Sequence, residues 1–273
     1  MCDRTSVSPR ARAWWGFLAA SLIGTLGGLI GLGGAEFRLP VLVGFFHLPS
    51  LEAVILNKAV SLVVVTAALI FRAEAVPFDQ LLPHLDVAVN LLAGSLLGAW
   101  WAAGHAIKMS RQLLNRIIMV LLIGLALLML SEAIFEFNNG GTPLIDAGPI
   151  RFIVGLAAGL SIGMVAALLG VAGGELLIPT IVLLYGLDIK LAGSLSLMVS
   201  LPTVIVGFAR YSSSNAFAVL RQERLLFRWM VAGSILGAGI GGLLLGIVPQ
   251  RVLITLLGVI LLISAVKTFQ HAP

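Results

Sequence analysis

The chain has 273 residues, of which 59% are apolar and only 11% charged, with a mean hydropathy of +1.09. Soluble domains carry about 25% charged residues, and a soluble fold of this composition would expose apolar patches large enough to aggregate, so the chain belongs in a bilayer. The net charge of +5 does not call for nucleic acid, because the basic residues sit in short loops between apolar runs, where they report topology.

In chain order, a basic tail over residues 1–13 (Arg4, Arg10, Arg12) leads into an apolar run at 14–32. That run is too long for the core of a signal peptide and has no clear small-x-small cleavage site. It is read as a retained first helix. A glycine-rich break at 31–36 follows, then a short apolar piece at 37–47 and longer runs at 53–71, about 85–104 and 113–135. The second half supplies runs at about 150–170, a break at 170–175, and further runs at 176–187, 192–209, 228–246 and 252–269. Complete spans need about 20 apolar residues, which the longer runs approach. The piece after each break, at ~1.5 Å per residue, reaches roughly 17 Å, about half a hydrocarbon core.

The halves match each other without a gap at an offset of 139. Gly31-Leu-Gly-Gly-Ala-Glu-Phe-Arg-Leu-Pro40 lies over Gly170-Val-Ala-Gly-Gly-Glu-Leu-Leu-Ile-Pro179, and Gly94-Ser-Leu-Leu-Gly98 lies over Gly233-Ser-Ile-Leu-Gly237. Chance readily aligns Leu with Leu. It does not readily align a Gly/Glu/Pro constellation. The expected organisation is a cytoplasmic tail at 1–13, a first membrane repeat at 14–137, a loop at 138–149 and a second repeat at 150–273.

Loop charges then set orientation. The tail and the segment 105–116 (Lys108, Arg111, Arg116) are basic, whereas 72–84 has Arg72 with Glu74 and Asp79. In the second half the bias reverses: 210–227 carries Arg210, Arg221 and Arg224 against Glu223, and the counterpart of 105–116 keeps only Arg251. The joining region 132–149 has Glu132, Glu136 and Asp146 and no base. Homologous loops on opposite sides mean an odd number of crossings per half. The expected fold is therefore all-α, a polytopic membrane protein of two inverted repeats with both termini cytoplasmic. Each repeat has a Gly-broken helix near mid-membrane, with about 8–10 segments in all. Five crossings per half, or three plus a re-entrant hairpin, both satisfy the pattern.

Each break is a candidate binding element. Glycines let the backbone leave helical geometry and approach a ligand, and irregular backbone at membrane depth is tolerated where it lines a wet cavity. The short helix after the break aims its positive end at that cavity. Pro40 and Pro179 are placed in the first turn, where a missing N–H costs least. Gly33, Gly34, Ala35, Gly173 and Gly174 are the backbone candidates. The alternative is glycines that only permit tight helix packing. Glu36 and Glu175 follow their glycines directly and are proton-coupling candidates, since two acids near one cavity repel each other and favour proton uptake. A simple helix-cap role is the alternative. Arg38, opposite Leu177 in the second half, can pair with Glu36, hold an anion, or snorkel to the interface. Pairing with Glu36 would leave Glu175 as the proton carrier.

The next run in each half has a polar stripe: Asn57 and Ser61 at i, i+4, matched by Ser196 and Ser200, with Thr203 extending the face. Neutral donors of this kind suit an oxyanion that must dissociate again. Interhelical hydrogen bonding is the alternative, and Lys58, beside Asn57, is read as reaching for headgroups. Gly94/Gly98 and Gly233/Gly237/Gly241 read as packing seams. Cys2 is the only cysteine, and the four histidines are scattered, so no disulfide, metal-ligand spacing or cofactor motif is present. Nothing resembles a nucleophile–base pair or a P-loop, so no enzyme is expected.

The doubled motif at 31–40 and 170–179, each followed by an Ala-x(n)-Ser helix, together with Asn57-Lys58, resembles the TauE/SafE sulfite exporter family over nearly the whole chain. Arg38 and the alanines Ala35 and Ala172 depart from that family's glycine-rich, apolar pattern. The resemblance implies a bacterial inner-membrane carrier of small sulfur-containing anions such as sulfite or organosulfonates. A cation or metal carrier using Glu36 and Glu175, or a non-transporting scaffold, are the competing classes. Expected partners are the bilayer and a small anionic substrate, with a homodimer as the assembly to test.

Overall fold

A computed structural model describes residues 8–30, 34–75, 78–135, 143–243 and 250–270, and those residues are helical apart from short connections. Gly33, Cys2, Arg4, Glu136 and His271 lie outside the described residues, as do the side-chain surroundings of Gly241. The first half contains α1 (Pro9–Ile30), α2 (Ala35–Gly44), α3 (Ser50–Ala75), α4 (Phe78–Leu81), α5 (Leu85–Ala106) and α6 (Arg111–Phe135). The second contains α7 (Pro149–Leu169), α8 (Gly174–Tyr185), α9 (Ile189–Tyr211), α10 (Val219–Gln222), α11 (Arg224–Leu243) and α12 (Gln250–Gln270). Each element of the first half has its counterpart at the offset read from the sequence, to within a few residues. Helix α1 opens at Pro9, ahead of the Trp14 expected from hydropathy.

Among the described residues, five helical stretches are long and apolar enough to cross a membrane: Ser50–Leu69, Asp79–Ala106, Arg111–Ser131, Pro149–Leu169 and Leu191–Tyr211. The chain is thus an all-helical polytopic membrane protein. Apolar side chains exposed on its outer surface, Leu97, Val120 and Ile153 among them, are in their proper solvent once that solvent is lipid.

The repeat also shows in backbone detail. Gly34 and Gly173, which precede the two half-length helices, are both left-handed, with φ of 64° and 87°. The chain leaves α8 through Gly186 at φ 70°, and the equivalent place after α2 is taken by His47 at φ 54°. A left-handed residue is cheap as glycine and costs about 1–2 kcal/mol otherwise, so the same turn is retained at His47 against its local preference.

After each break the chain folds back on itself. A side chain at Gly173 would touch Ile162 and Ala166 in the last turns of α7, and one at Gly34 would meet the Ile23 carbonyl in α1. At the far end of α8, Leu144 N–H donates to the Leu183 carbonyl at 2.9 Å, so α8 ends beside the segment that precedes α7. Helix α8 therefore runs antiparallel to α7. Tyr211, the last residue of α9, donates to the Ala167 carbonyl at 3.0 Å, which brings the ends of α7 and α9 together with α8 returning between them.

The halves are interlaced. Helix α1 packs most extensively on α11, and its equivalent α7 on α5; α6 packs on α12 and α3 on α9. Exchanging the halves leaves this set unchanged. Glycines make the two largest contacts possible. A methyl added to Gly94 would lie 2.1 Å from the Leu156 carbonyl, one on Gly98 2.1 Å from that of Leu160, and one on Gly163 2.1 Å from that of Ser95. Gly237 meets the Ser21 carbonyl in the same way, at 2.2 Å. Residue numbers rise together along both seams, so α1 runs parallel to α11 and α5 parallel to α7. The seam reading of Gly94, Gly98, Gly233 and Gly237 agrees with this packing.

Candidate functional site

The site is assembled where α2 and α8 begin. In each, α-helical bonding starts immediately after the left-handed glycine, which draws Ala35-Glu36 and Gly174-Glu175 into the first turn. Pro40 and Pro179 consequently lie inside their helices, beyond the first turn where the sequence reading put them. A proline there has no N–H for the carbonyl four residues back. Those carbonyls belong to Glu36 and Glu175.

The carboxyl groups of Glu36 and Glu175 lie close enough to act on each other, and the Arg38 guanidinium is within electrostatic reach of both. Proximity to Arg38 therefore does not single out Glu36, and the expected division of labour between the two acids loses its ground. All three groups are buried. Beyond the facing carboxyl of the other acid, neither oxygen of Glu175 nor Oε2 of Glu36 has a side-chain hydrogen-bond partner among the described residues, and Nε of Arg38 has none.

Arg38 does not snorkel. One terminal nitrogen donates to Ser61 Oγ on α3 at 2.9 Å and the other to Ser234 Oγ on α11 at 3.0 Å. Among the described residues the one ion pair within 4.0 Å is Arg12–Glu223, at 3.1 Å. A guanidinium bonded to two neutral hydroxyls and to no carboxylate keeps donor capacity that an anion can use.

Helix α3 supplies the remaining polar groups, and it uses them on the opposite half. Asn57 Nδ2 donates to the Ala35 carbonyl at 3.0 Å and to the Leu169 carbonyl at 3.2 Å, tying the start of α2 to the end of α7. Ser61 Oγ donates to the Gly170 carbonyl at 3.3 Å. Lys58, which the sequence suggests is an interfacial lysine, is fully buried. Its Nζ donates to the Ala166 carbonyl at 3.1 Å and reaches that of Val171 at 3.5 Å. A cation there meets the negative end of α7 and satisfies carbonyls that the broken helix leaves free.

Of the residues expected at the site, Gly34, Ala35, Glu36, Arg38, Asn57, Ser61, Gly173, Gly174 and Glu175 gather around the two breaks. Gly173 turns its missing side chain toward α7, while beside Gly174 there is open space. Ser196 donates to the Gly193 carbonyl of its own helix at 2.8 Å, and Ser200 Oγ is buried without a partner. Neither is bonded to the breaks. Thr203 instead meets Ser95 on α5, oxygen to oxygen at 2.7 Å. Ser95 and Ser234 are equivalent across the repeat, and the sequence reading passed over both. They stand beside Gly94 and Gly233, and the seam glycines took the attention that two matched serines in apolar helices warranted.

The structure is thus two-fold in backbone and one-sided in charge: Leu177 and Leu197 stand where the first half has Arg38 and Lys58. Among the described residues there is no group of three or more His, Cys, Asp or Glu arranged to hold a metal ion. In comparisons with known proteins, the chain matches the family model described as sulfite exporter TauE/SafE twice, over residues 3–129 and 129–268. No curated protein and no solved structure matches it.

Proposed function

Since the chain belongs to the sulfite exporter TauE/SafE family, we propose that it is a proton-coupled secondary transporter of a small sulfur-containing anion, sulfite or an organosulfonate, in the bacterial inner membrane. Substrate binds between the first turns of α2 and α8, on Arg38 and on the backbone of Gly34, Ala35, Gly173 and Gly174, with Asn57 and Ser61 beside them. Ser196 and Ser200 supply the equivalent face of α9, and Glu36 and Glu175 carry protons. Access alternates as the two repeats rock about this point.

The observation that carries the anion reading is Arg38: buried where the half-helices begin, bonded only to hydroxyls and retaining a free Nε. An ionisable group at membrane depth is costly and marks a pathway. The repeats are read as inverted, with both termini cytoplasmic. Support comes from the Arg12–Glu223 contact, which joins the basic tail to the basic 210–227 connection at one end of the bundle, and from the Leu144–Leu183 bond at the end of α8. Half-helices meeting between inverted repeats are the usual architecture of carriers that bind at the midplane.

The paired, buried carboxyls of Glu36 and Glu175 favour a second reading, a cation carrier. One experiment separates the classes: flux of labelled sulfite, an organosulfonate and a divalent cation into liposomes containing the purified protein. Saturable anion uptake that Arg38→Gln abolishes is expected. Cation uptake that depends on the two acids would overturn the anion reading, and saturable flux of none would mark a non-transporting scaffold.

A further inference from the structure

We infer that the buried centre enforces electroneutral transport, taking up one proton for each negative charge on its anion: one proton with a monoanion and two with a dianion. The inference deepens the transporter reading above and rests on it.

It comes from a census of charge. Four ionisable side chains meet at the breaks: Glu36 and Arg38 on α2, Lys58 on α3 and Glu175 on α8, with exposures of 1%, 1%, 0% and 7%. Arg38 is always charged. Lys58 Nζ donates to the Ala166 carbonyl and reaches that of Val171 at the negative end of α7, a setting that favours the ammonium form, in which it is counted. The fixed positive charge is therefore two, and the acids supply at most two negative charges. With both ionised the centre sums to zero.

No other described group alters the sum. The helices packed on α2 and α8 are α1, α3, α12, α7 and α9, and α11 reaches Arg38 through Ser234. Apart from Lys58, their described charged side chains are Arg10 and Arg12, Glu52, Lys267, Arg151, Arg210, Arg224 and Arg228, and each stands near a helix end, while Tyr211 closes α9 as a neutral phenol bonded to the Ala167 carbonyl. Arg12 is paired with Glu223, while Arg151 and Arg210 lie over the rings of Tyr185 and Trp100. The groups that act on the two acids are each other and Arg38.

A net charge cannot cheaply be enclosed at membrane depth. An entering anion adds negative charge to a centre that was balanced. The balance returns when protons from the same side bind to carboxylate oxygens of Glu36 and Glu175, three of which have no side-chain partner beyond the facing carboxyl. On the other side, anion and protons leave together. Two acids cap the count at two protons, and two fixed cations match a dianion fully neutralised in the loaded state.

The test uses the full-length protein in liposomes, with membrane potential set by a potassium gradient and valinomycin and proton entry read by a trapped pH dye. Ethanesulfonate serves as the monoanion and sulfoacetate as the dianion. Expected are proton-to-anion ratios of one and two, with both rates indifferent to potential. Glu175→Gln should lower the sulfoacetate ratio to one and the ethanesulfonate ratio to zero, and make the uptake of both anions sensitive to potential. Glu36→Gln should do the same and serves if the first variant does not fold. Saturable uptake with equal ratios for the two anions, or driven by potential in the unaltered protein, overturns the charge rule and leaves the transporter reading standing. Uptake of neither anion overturns the transporter reading itself.

Discussion

Arg38 and Lys58 are both buried cations, yet they are held by different chemistry, and their substitutions should separate. The Arg38 fork bridges two serines on two helices. A lysine would keep the charge and lose the geometry. Arg38→Lys is expected to raise the apparent KM for a sulfonate about tenfold, the equivalent of ~1.4 kcal/mol, with protein yield unchanged, as measured by initial uptake rates. Lys58 instead satisfies carbonyls at the end of α7. Lys58→Met leaves them without donors at a cost of about 1–3 kcal/mol, so thermal unfolding in detergent should shift down before any transport defect is scored. At this scale the sequence was partly legible. Glu36, Glu175 and Arg38, which the structure buries together, were singled out because the offset makes both the matches and the one mismatch visible. Lys58 was misread because hydropathy starts its helix at 53, whereas the helix begins at Ser50 and the lysine lies two turns inside.

The breaks show how far a pattern of glycines can be taken. Their position and the half-length helices after them are readable from the sequence, but the fold-back against α1 and α7 is not, because it depends on which neighbour each glycine faces. Gly173 faces α7, so a large residue there strains the turn rather than obstructing a substrate. Gly174 is the better probe, since nothing lies within 4 Å of where its side chain would start. Gly174→Leu should leave a folded protein whose anion uptake falls roughly tenfold or more, as a barrier increment of about 1.4 kcal/mol would produce. Normal uptake by that variant would remove the α8 start from the pathway. The seams answer to a different measurement. Gly98→Ala drives a methyl to 2.1 Å from the Leu160 carbonyl and should destabilise by about 1–3 kcal/mol. Gly124→Ala, with nothing within 4 Å, should be neutral or gain up to about 1 kcal/mol from helix propensity. Comparing their melting temperatures tests whether close approach, rather than glycine as such, makes the seam.

For the whole molecule the claim open to test is orientation. Single cysteines placed in a Cys2→Ser background should react from the cytoplasmic side within 105–116 and 210–227, and from the opposite side within 136–149. Labelling of 72–84 and 210–227 from one side would reject inversion. Duplication was visible in the sequence because it is a linear property. Which helix packs on which was not, because the signature Gly-Ser-x-x-Gly states that a close partner exists without saying whose.

That partnering governs the order in which the protein can be made. The glycine face of α1, at Gly16 and Gly24, is completed by Leu226, Met230 and Ser234 of α11. Some two hundred residues separate the two in the chain, so at roughly 5–20 residues per second α1 leaves the ribosome about ten to forty seconds before α11 exists. Its counterpart α7 has no such wait, since α5 is already in the bilayer when it emerges. Two equivalent seams thus close at very different times. For most of its synthesis the chain holds a membrane helix with its most intimate surface turned to lipid or to whatever attends insertion. The first half cannot be finished on its own, and a nascent chain halted before α11 is a half-built object with one seam sealed and its twin still open.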